Sequence, residues 1–362
     1  MHETIIRVFY PLESGRIVLR TEQDWETDLE PDYIDCDNHL FQFCLKVHHK
    51  THMSYKPCIR DGNDLIWSMG ANKVALLHKE RPHDVYPYFF SQEGGTITDV
   101  LEIPSASFNC NRLLRLYLPA GYDENLLKRY PVIYMHDGKN LFFPQEAFLG
   151  EDWHIEGNLD LLNSMNLLEQ VIVAGIYAGE REEEYTHPGY KKYGHCLTQE
   201  IKPWIDDNFR TLRGPWHRCV MGSSLGGVVS FYLAWEYPDV FGTAACLSST
   251  FSYKDDLIKR VEYDPVEQRS HLRIYLDSGW PGDNYDATLK MASILLDRGF
   301  KWGTNFLHIA FPNARHTEHD WASRMHIPLQ LFFGRIRRAY MHWINPEYSF
   351  QEALPVGEEV EV

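Results

Sequence analysis

The segment Gly222-Ser223-Ser224-Leu225-Gly226 constrains this chain more than any other. It follows the apolar run Cys219-Val220-Met221 and precedes Gly227-Val228-Val229, which opens a helix-like stretch. A strand that turns into a helix within one residue pushes the side chain at the turn outward, and its neighbours on either side must be nearly side-chain-free. Gly222 and Gly226 meet that need, and position makes Ser224 the turn residue, with Ser223 only a neighbour. A serine hydroxyl is a poor nucleophile near neutral pH, so such a turn does chemistry only if a base, and an acid that orients the base, come from elsewhere in the chain.

The surroundings suit that reading. Val132-Ile133-Tyr134-Met135, Val171-Ile172-Val173-Ala174, Ala244-Ala245-Cys246-Leu247, Ile274-Tyr275-Leu276 and Phe306-Leu307-His308-Ile309 are short apolar runs, separated by helix-like stretches at 195–208, 227–237, 286–298 and 319–333. Short buried strands alternating with helices specify an α/β architecture, a mostly parallel sheet with helices on both faces. It is expected over 96–345. Before Gly94-Gly95 the pattern differs. Arg16-Ile17-Val18-Leu19, the alternating stretch Phe41 to Val47, Leu65-Ile66-Trp67 and Asn72 to Leu77 read as short strands, and no helical stripe of three turns intervenes. Residues 1–95 therefore read as a small antiparallel β-sandwich. The stretch 346–362 holds five Glu and no Lys or Arg, which predicts a solvated acidic tail.

Chains built around such a serine carry the acid and then the base downstream of it, each on a loop after a strand. Asp277, Asp283 and Asp286 are the acids in reach. Asp277 ends the apolar run 274–276 and reads as a half-buried structural acceptor; Asp283 lies past the strand tip in the turn 279–284 and is the favoured acid. His316 follows the last strand in Pro312-Asn313-Ala314-Arg315-His316 and is favoured as base over His319, which falls on the next helix. Acyl transfer also needs N–H donors aimed at the developing oxyanion. Leu225, just after the serine, and the turn Asp137-Gly138 after the strand 131–135 are the expected sources. Trp153, Tyr185, Tyr190 and Trp280 are candidates to line the pocket, with Lys139 and Arg181 offering charge. No metal site is expected: His316-x-x-His319 lacks the Glu of an HExxH pattern, CxxC is absent, and His48, His49 and His52 read as a hairpin tip.

Composition excludes several other classes. The chain has 362 residues, with 35 Lys plus Arg against 51 Asp plus Glu, a formal charge of −16. A surface that acidic repels phosphate backbones, and no basic patch offsets it, so no nucleic-acid partner is expected. No apolar run approaches the ~18 residues of a membrane span. Met1-His2-Glu3-Thr4 is unlike a signal peptide, which makes the cytoplasm the expected compartment. Seven cysteines without tight pairing fit reduced, mostly buried thiols.

From Thr96 to Gly334 the sequence resembles the putative esterase family, the α/β-hydrolases related to esterase D (S-formylglutathione hydrolase), a group that includes feruloyl, acetylxylan and enterochelin esterases. The resemblance rests on Tyr130-Pro131-Val132-Ile133-Tyr134-Met135-His136-Asp137-Gly138, on Gly222 to Gly227 and on Tyr237-Pro238-Asp239-Val240-Phe241-Gly242. Arg181 through Tyr185, Ile201 to Asp206, and Asn313-Ala314-Arg315-His316-Thr317-Glu318 with Trp321 add to it. It implies an α/β-hydrolase fold and a serine esterase acting without a cofactor on a small-molecule ester, lactone or thioester. It supports Ser224 and His316 and favours Asp283, although the insertion Trp280-Pro281-Gly282 departs from the family pattern there. The front domain resembles the β-sandwich modules that some members carry; binding a sugar, pairing subunits into a homo-oligomer and roofing the pocket all remain open to it. Two other functions stay open: an acyltransferase or macrocyclising thioesterase with the same triad, and a catalytically silent binding protein.

Overall fold

A computed structural model describes residues 2–47, 52–76 and 82–335. The expected acidic tail 346–362, the end of the expected α/β domain at 336–345, and His48 and His49 lie outside the described residues. The chain forms two compact units. The first comprises Met1–Thr96 with Pro119–Lys128 and Asp160–Leu167; the second comprises Ile97–Leu118, Arg129–Leu159 and the chain from Leu168 onward. A single cut at residue 95 therefore misses two short pieces that the first unit takes from later sequence.

In the first unit the strands are β1 (His2–Phe9), β2 (Arg16–Thr21), β3 (Asp24–Leu29), β4 (Tyr33–Asp35), β5 (Leu40–Val47), β6 (His52–Asp61), β7 (Asp64–Trp67), β8 (Lys73–Leu76) and β9 (His83–Val85). They form two sheets, ordered β4-β5-β1-β9 and β3-β2-β6-β7, with β8 also on β6. The pairings are antiparallel except that of β9, which runs parallel to β1. Alternation puts Ile6, Val8, Phe43 and Leu45 of one sheet into a single apolar cluster with Ile17, Leu19, Met53, Tyr55 and Ile59 of the other. The borrowed pieces are tied in by carboxylates. Glu124 accepts the N–H groups of Phe89, Phe90 and Ser91 and the hydroxyl of Tyr10, and Asp160 accepts the Gly95 N–H.

The second unit is built on one sheet: β10 (Thr96–Ile97), β11 (Leu101–Ser105), β12 (Cys110–Leu118), β13 (Val132–Met135), β14 (Ile172–Ile176), β15 (Arg218–Ser223), β16 (Thr243–Leu247), β17 (Arg273–Trp280) and β18 (Phe306–Pro312). Their order is β10-β12-β14-β13-β15-β16-β17-β18, with β11 also on β12. Strands β13 to β18 are mutually parallel, and β12 is antiparallel to β14. Every residue of β13, β14, β15 and β16 is buried, as strands covered on both faces must be. The helices are α1 (Ile155–Ser164), whose residues from Asp160 on belong to the first unit, α2 (Arg181–Tyr185), α3 (Gly189–Cys196), α4 (Lys202–Asn208), α5 (Leu225–Glu236), α6 (Leu257–Tyr263), α7 (Tyr285–Asp297), α8 (Glu318–Arg324) and α9 (His326–Phe333).

The strand order reverses at β13. The chain leaves it for β14 on one side, then crosses back to β15 on the other. Loops leaving neighbouring strands in opposite directions open a crevice at the strand C-termini, the usual ligand position in such sheets. The turns after β13 and β15 flank that crevice.

Candidate active site

Ser224 sits between β15 and α5 with φ 57° and ψ −121°, a backbone region costly for any residue with a side chain. Its N–H donates to the Leu247 carbonyl at 2.9 Å. Space is tight at Gly222 and Gly227, whereas a Cβ on Gly226 would come no closer than 3.2 Å to its neighbours. A Cβ on Gly222 would lie 2.7 Å from the Gly226 carbonyl carbon, and one on Gly227 would lie 2.2 Å from Ser249 Oγ. Leu225 is the first residue of α5, so its N–H is among those a helix N-terminus leaves without an intrahelical acceptor.

On the loop after β18, His316 Nδ1 lies 2.6 Å from Asp283 Oδ1. An ionised carboxylate only accepts, so Nδ1 carries the proton and Nε2 is left as the ring's lone-pair nitrogen. Asp283 is in the left-handed region at φ 57°, and its side chain is 2 % exposed. Burial alone would raise its pKa, but hydrogen bonds from His316, the Ser248 hydroxyl (2.6 Å) and the Gly279 N–H (2.7 Å) hold it below the ordinary carboxylate range. Asp277 is placed differently. It is fully buried, receives Arg324 through two 3.1 Å contacts and the Tyr275 hydroxyl at 2.8 Å, and does not line the cleft. Asp286 lies in the first turn of α7 and is exposed.

The turn after β13 is braced from below. Asp137, at φ 57° and ψ 46°, holds Arg181 in a two-pronged ion pair (2.7 and 2.8 Å). Gly138 packs where a Cβ would come 2.3 Å from the Gly175 carbonyl oxygen, so only glycine fits. The Asp137 N–H donates to the Tyr185 hydroxyl at 3.2 Å. That amide is thus already engaged, and Gly138 is buried and does not line the cleft that holds Ser224 and His316. His136 is buried with Nδ1 2.9 Å from the Tyr193 hydroxyl; burial pushes its pKa down to about 3, so the ring is neutral.

Ser224 and His316 line one cleft of about 400 Å³ with Asp137, Lys139, Asn140, Phe148, Ala178, Arg181, Glu318 and Trp321. Lys139 and Arg181 line this cleft. The aromatic candidates do not. Tyr185 and Tyr190 are fully buried: Tyr185 braces Asp137, while Tyr190 stacks on Tyr232 at 4.0 Å and bonds Asp256. Trp153 is buried against Trp321 at 6.0 Å, and Trp280, 49 % exposed, is not part of the cleft lining. Asn140, Phe148, Ala178, Glu318 and Trp321 line the cleft without being among the expected site residues. Glu318 and Trp321 belong to the stretch quoted for the family ending, whereas Phe148 sits in a loop whose course no local pattern announces. Burial raises the Glu318 carboxyl, and Asn140 Nδ2 donates to it at 3.3 Å.

Asp152, His154 and Glu156 present possible metal ligands within 4.8 Å of one another, a group the sequence reading did not single out. Asp152 and His154 also meet as a side-chain pair at 3.2 Å. None of the three lines the cleft. All seven cysteines are free; Cys58, Cys196, Cys219 and Cys246 are buried. No described helix is long and apolar enough to cross a membrane.

Residues 105–325 match the family described as "Putative esterase", and the chain belongs to that family. Among curated relatives it is 30% identical over 180 residues to the uncharacterized protein YjcH of Bacillus subtilis, covering 48% of this chain and 69% of YjcH. It is 28% identical over 163 residues to uncharacterized YbbA of the same organism, covering 40% of this chain and 59% of YbbA. A third relative, an endo-1,4-beta-xylanase/feruloyl esterase of Xylanibacter ruminicola, is 26% identical over 181 residues, 46% of this chain and only 23% of that protein. Among solved structures, a ferulic acid esterase superposes with a TM-score of 0.58 at 18% identity, over 66% of this chain and 98% of its own. The ferric enterobactin esterase of Salmonella typhimurium does so with a TM-score of 0.55 at 13% identity, over 91% and 93%. At those identities the likeness is one of fold, and the fold is that of α/β-hydrolase-like esterases.

Proposed function

We propose that this protein is a serine esterase that hydrolyses a small-molecule carboxylic ester through an acyl-enzyme, with Ser224, His316 and Asp283 as its triad. The observation that carries the reading is the cleft lined both by Ser224, on its strained turn, and by His316, held at Nδ1 by Asp283. His316 Nε2 takes the Ser224 proton as Oγ attacks the ester carbonyl. Asp283 orients the ring and stabilises the imidazolium, and the Leu225 N–H faces the tetrahedral oxyanion. The imidazolium returns the proton to the departing alcohol, leaving Ser224 acylated. Water, deprotonated by His316, then adds to the acyl carbonyl, and the carboxylic acid leaves as Ser224 recovers its proton. No cofactor enters this sequence. The two β-sheets of the first unit form, in this reading, a β-sandwich accessory module.

An activated aryl acetate tests the proposal. The protein should release a rapid burst of phenol equal to the enzyme present, followed by slower turnover, and Ser224→Ala should do neither. Steady turnover by Ser224→Ala at the natural rate would overturn it. Added alcohols or amines that divert the acyl group from water would move the reading to an acyltransferase.

A further inference from the structure

Behind Asp283, on the side away from His316, lies a buried hydroxyl that the triad itself does not require. Ser248 follows β16, is fully buried, and has φ 44°. Its Oγ lies 2.6 Å from Asp283 Oδ2, 2.6 Å from Arg324 Nη2 and 2.9 Å from Trp321 Nε1. Guanidinium and indole nitrogens only donate, so Oγ accepts from both, and its single proton goes to Asp283. Arg324 is in turn clamped by the fully buried Asp277. Trp321 stands edge-on to the His316 ring with centroids 4.8 Å apart. One hydroxyl thus bonds both the acid beneath the imidazole and the ring beside it.

We propose that Ser248 is a positioning residue, which anchors the Asp283 carboxylate and the Trp321 indole to the Arg324–Asp277 pair and so sets how His316 faces Ser224. With Oδ2 bonded by Ser248 and Gly279 and with Arg324 Nη2 3.5 Å from it, Oδ1 is the oxygen that meets the imidazole. The hydroxyl proton also draws charge away from Asp283. Without it the carboxylate holds the imidazolium more tightly, and the base gains its proton at higher pH. Behind Asp283 and His316 the titratable or charged groups are Tyr275, Asp277 and Arg324. Lining the cleft with His316 they are Asp137, Lys139, Arg181 and Glu318, and on the neighbouring segments Asp286, Arg315, His319 and Asp320. A substitution at Ser248 adds or removes none of these charges.

This inference rests on the triad reading, and Ser224→Ala separates the two. If Ser224→Ala keeps its turnover, the triad falls and this inference with it. If Ser224→Ala is inactive, Ser248→Ala and Ser248→Gly carry the test, the glycine because it relieves the positive φ and folds where alanine does not. Both should lose about tenfold in kcat, as expected for one hydrogen bond to a charged group, with KM within about twofold. The acid limb of their rate profile should move up by roughly half a pH unit or more. Natural kcat in both variants, or a rate loss with the acid limb unmoved, would make Ser248 a packing residue and overturn the proposal.

Discussion

The Asp283 carboxylate meets the His316 ring 2.6 Å from Nδ1, while Asp277, on the strand that leads into the same turn, gives both of its oxygens to Arg324 instead. The two acids thus have separate work, and separate signatures when removed. Asp283→Asn should keep the fold and lower kcat by about a thousandfold or more, because the amide no longer selects the imidazole tautomer. Asp277→Asn should leave the buried Arg324 guanidinium with only Asp283, 3.5 Å away, as counter-charge and cost about 3–5 kcal/mol of stability. Thermal unfolding and kcat measured on both variants check the division; a larger kcat loss for folded Asp277→Asn than for Asp283→Asn would reverse it.

The turn at Ser224 tolerates little change. Gly222→Ala places a Cβ 2.7 Å from the Gly226 carbonyl carbon, against backbone that cannot step aside. Such overpacking costs about 1–3 kcal/mol, and relief by moving Gly226 would also move the Leu225 amide. The expected result is a lower melting temperature together with slower aryl-ester turnover. Natural values for both would contradict the turn as described.

Stability should also depend on Glu200. Burial alone would raise its pKa, but hydrogen bonds from Ser105 and Ser107 bring it down to about 2. A carboxyl whose folded pKa lies below its unfolded value of ~4.3 stabilises fully above that value, and the contribution fades as pH falls through about 2. Glu200→Gln should therefore cost about 1–2 kcal/mol at pH 7, and the gap to the natural protein should narrow below pH ~4.3. Denaturant unfolding across that range measures it; a gap that widens on acidification would contradict the assignment.

What could be read from sequence, and what could not, divides along physical lines. Turns are local, so the chain itself announces them: Gly222 and Gly226 mark the bend at Ser224, and the run 279–284 marks the loop that carries Asp283. The parallel strands β13 to β18 were legible as apolar runs spaced by helices. Aromatic roles were not, because burial depends on what packs from afar. Tyr185 closes α2 and Tyr190 lies in the first turn of α3, short helices whose inward faces emerge only once α5 lies across them. Asp137 shows the same limit at one amide, since nothing near it in sequence says that the Tyr185 hydroxyl will take its N–H. The first unit's claim on 119–128 rests on Glu124, which caps Phe89, Phe90 and Ser91, and on Asn125, whose amide donates to the Phe9 and Pro87 carbonyls, all from far along the chain.

The most direct test of the account is the intact mass of the protein after treatment with a fluorophosphonate, read beside that of Ser224→Ala. An activated serine should give one covalent adduct on the natural protein and none on the variant. An adduct that persists in Ser224→Ala, or a natural protein that takes up none while remaining folded, would contradict Ser224 as the nucleophile.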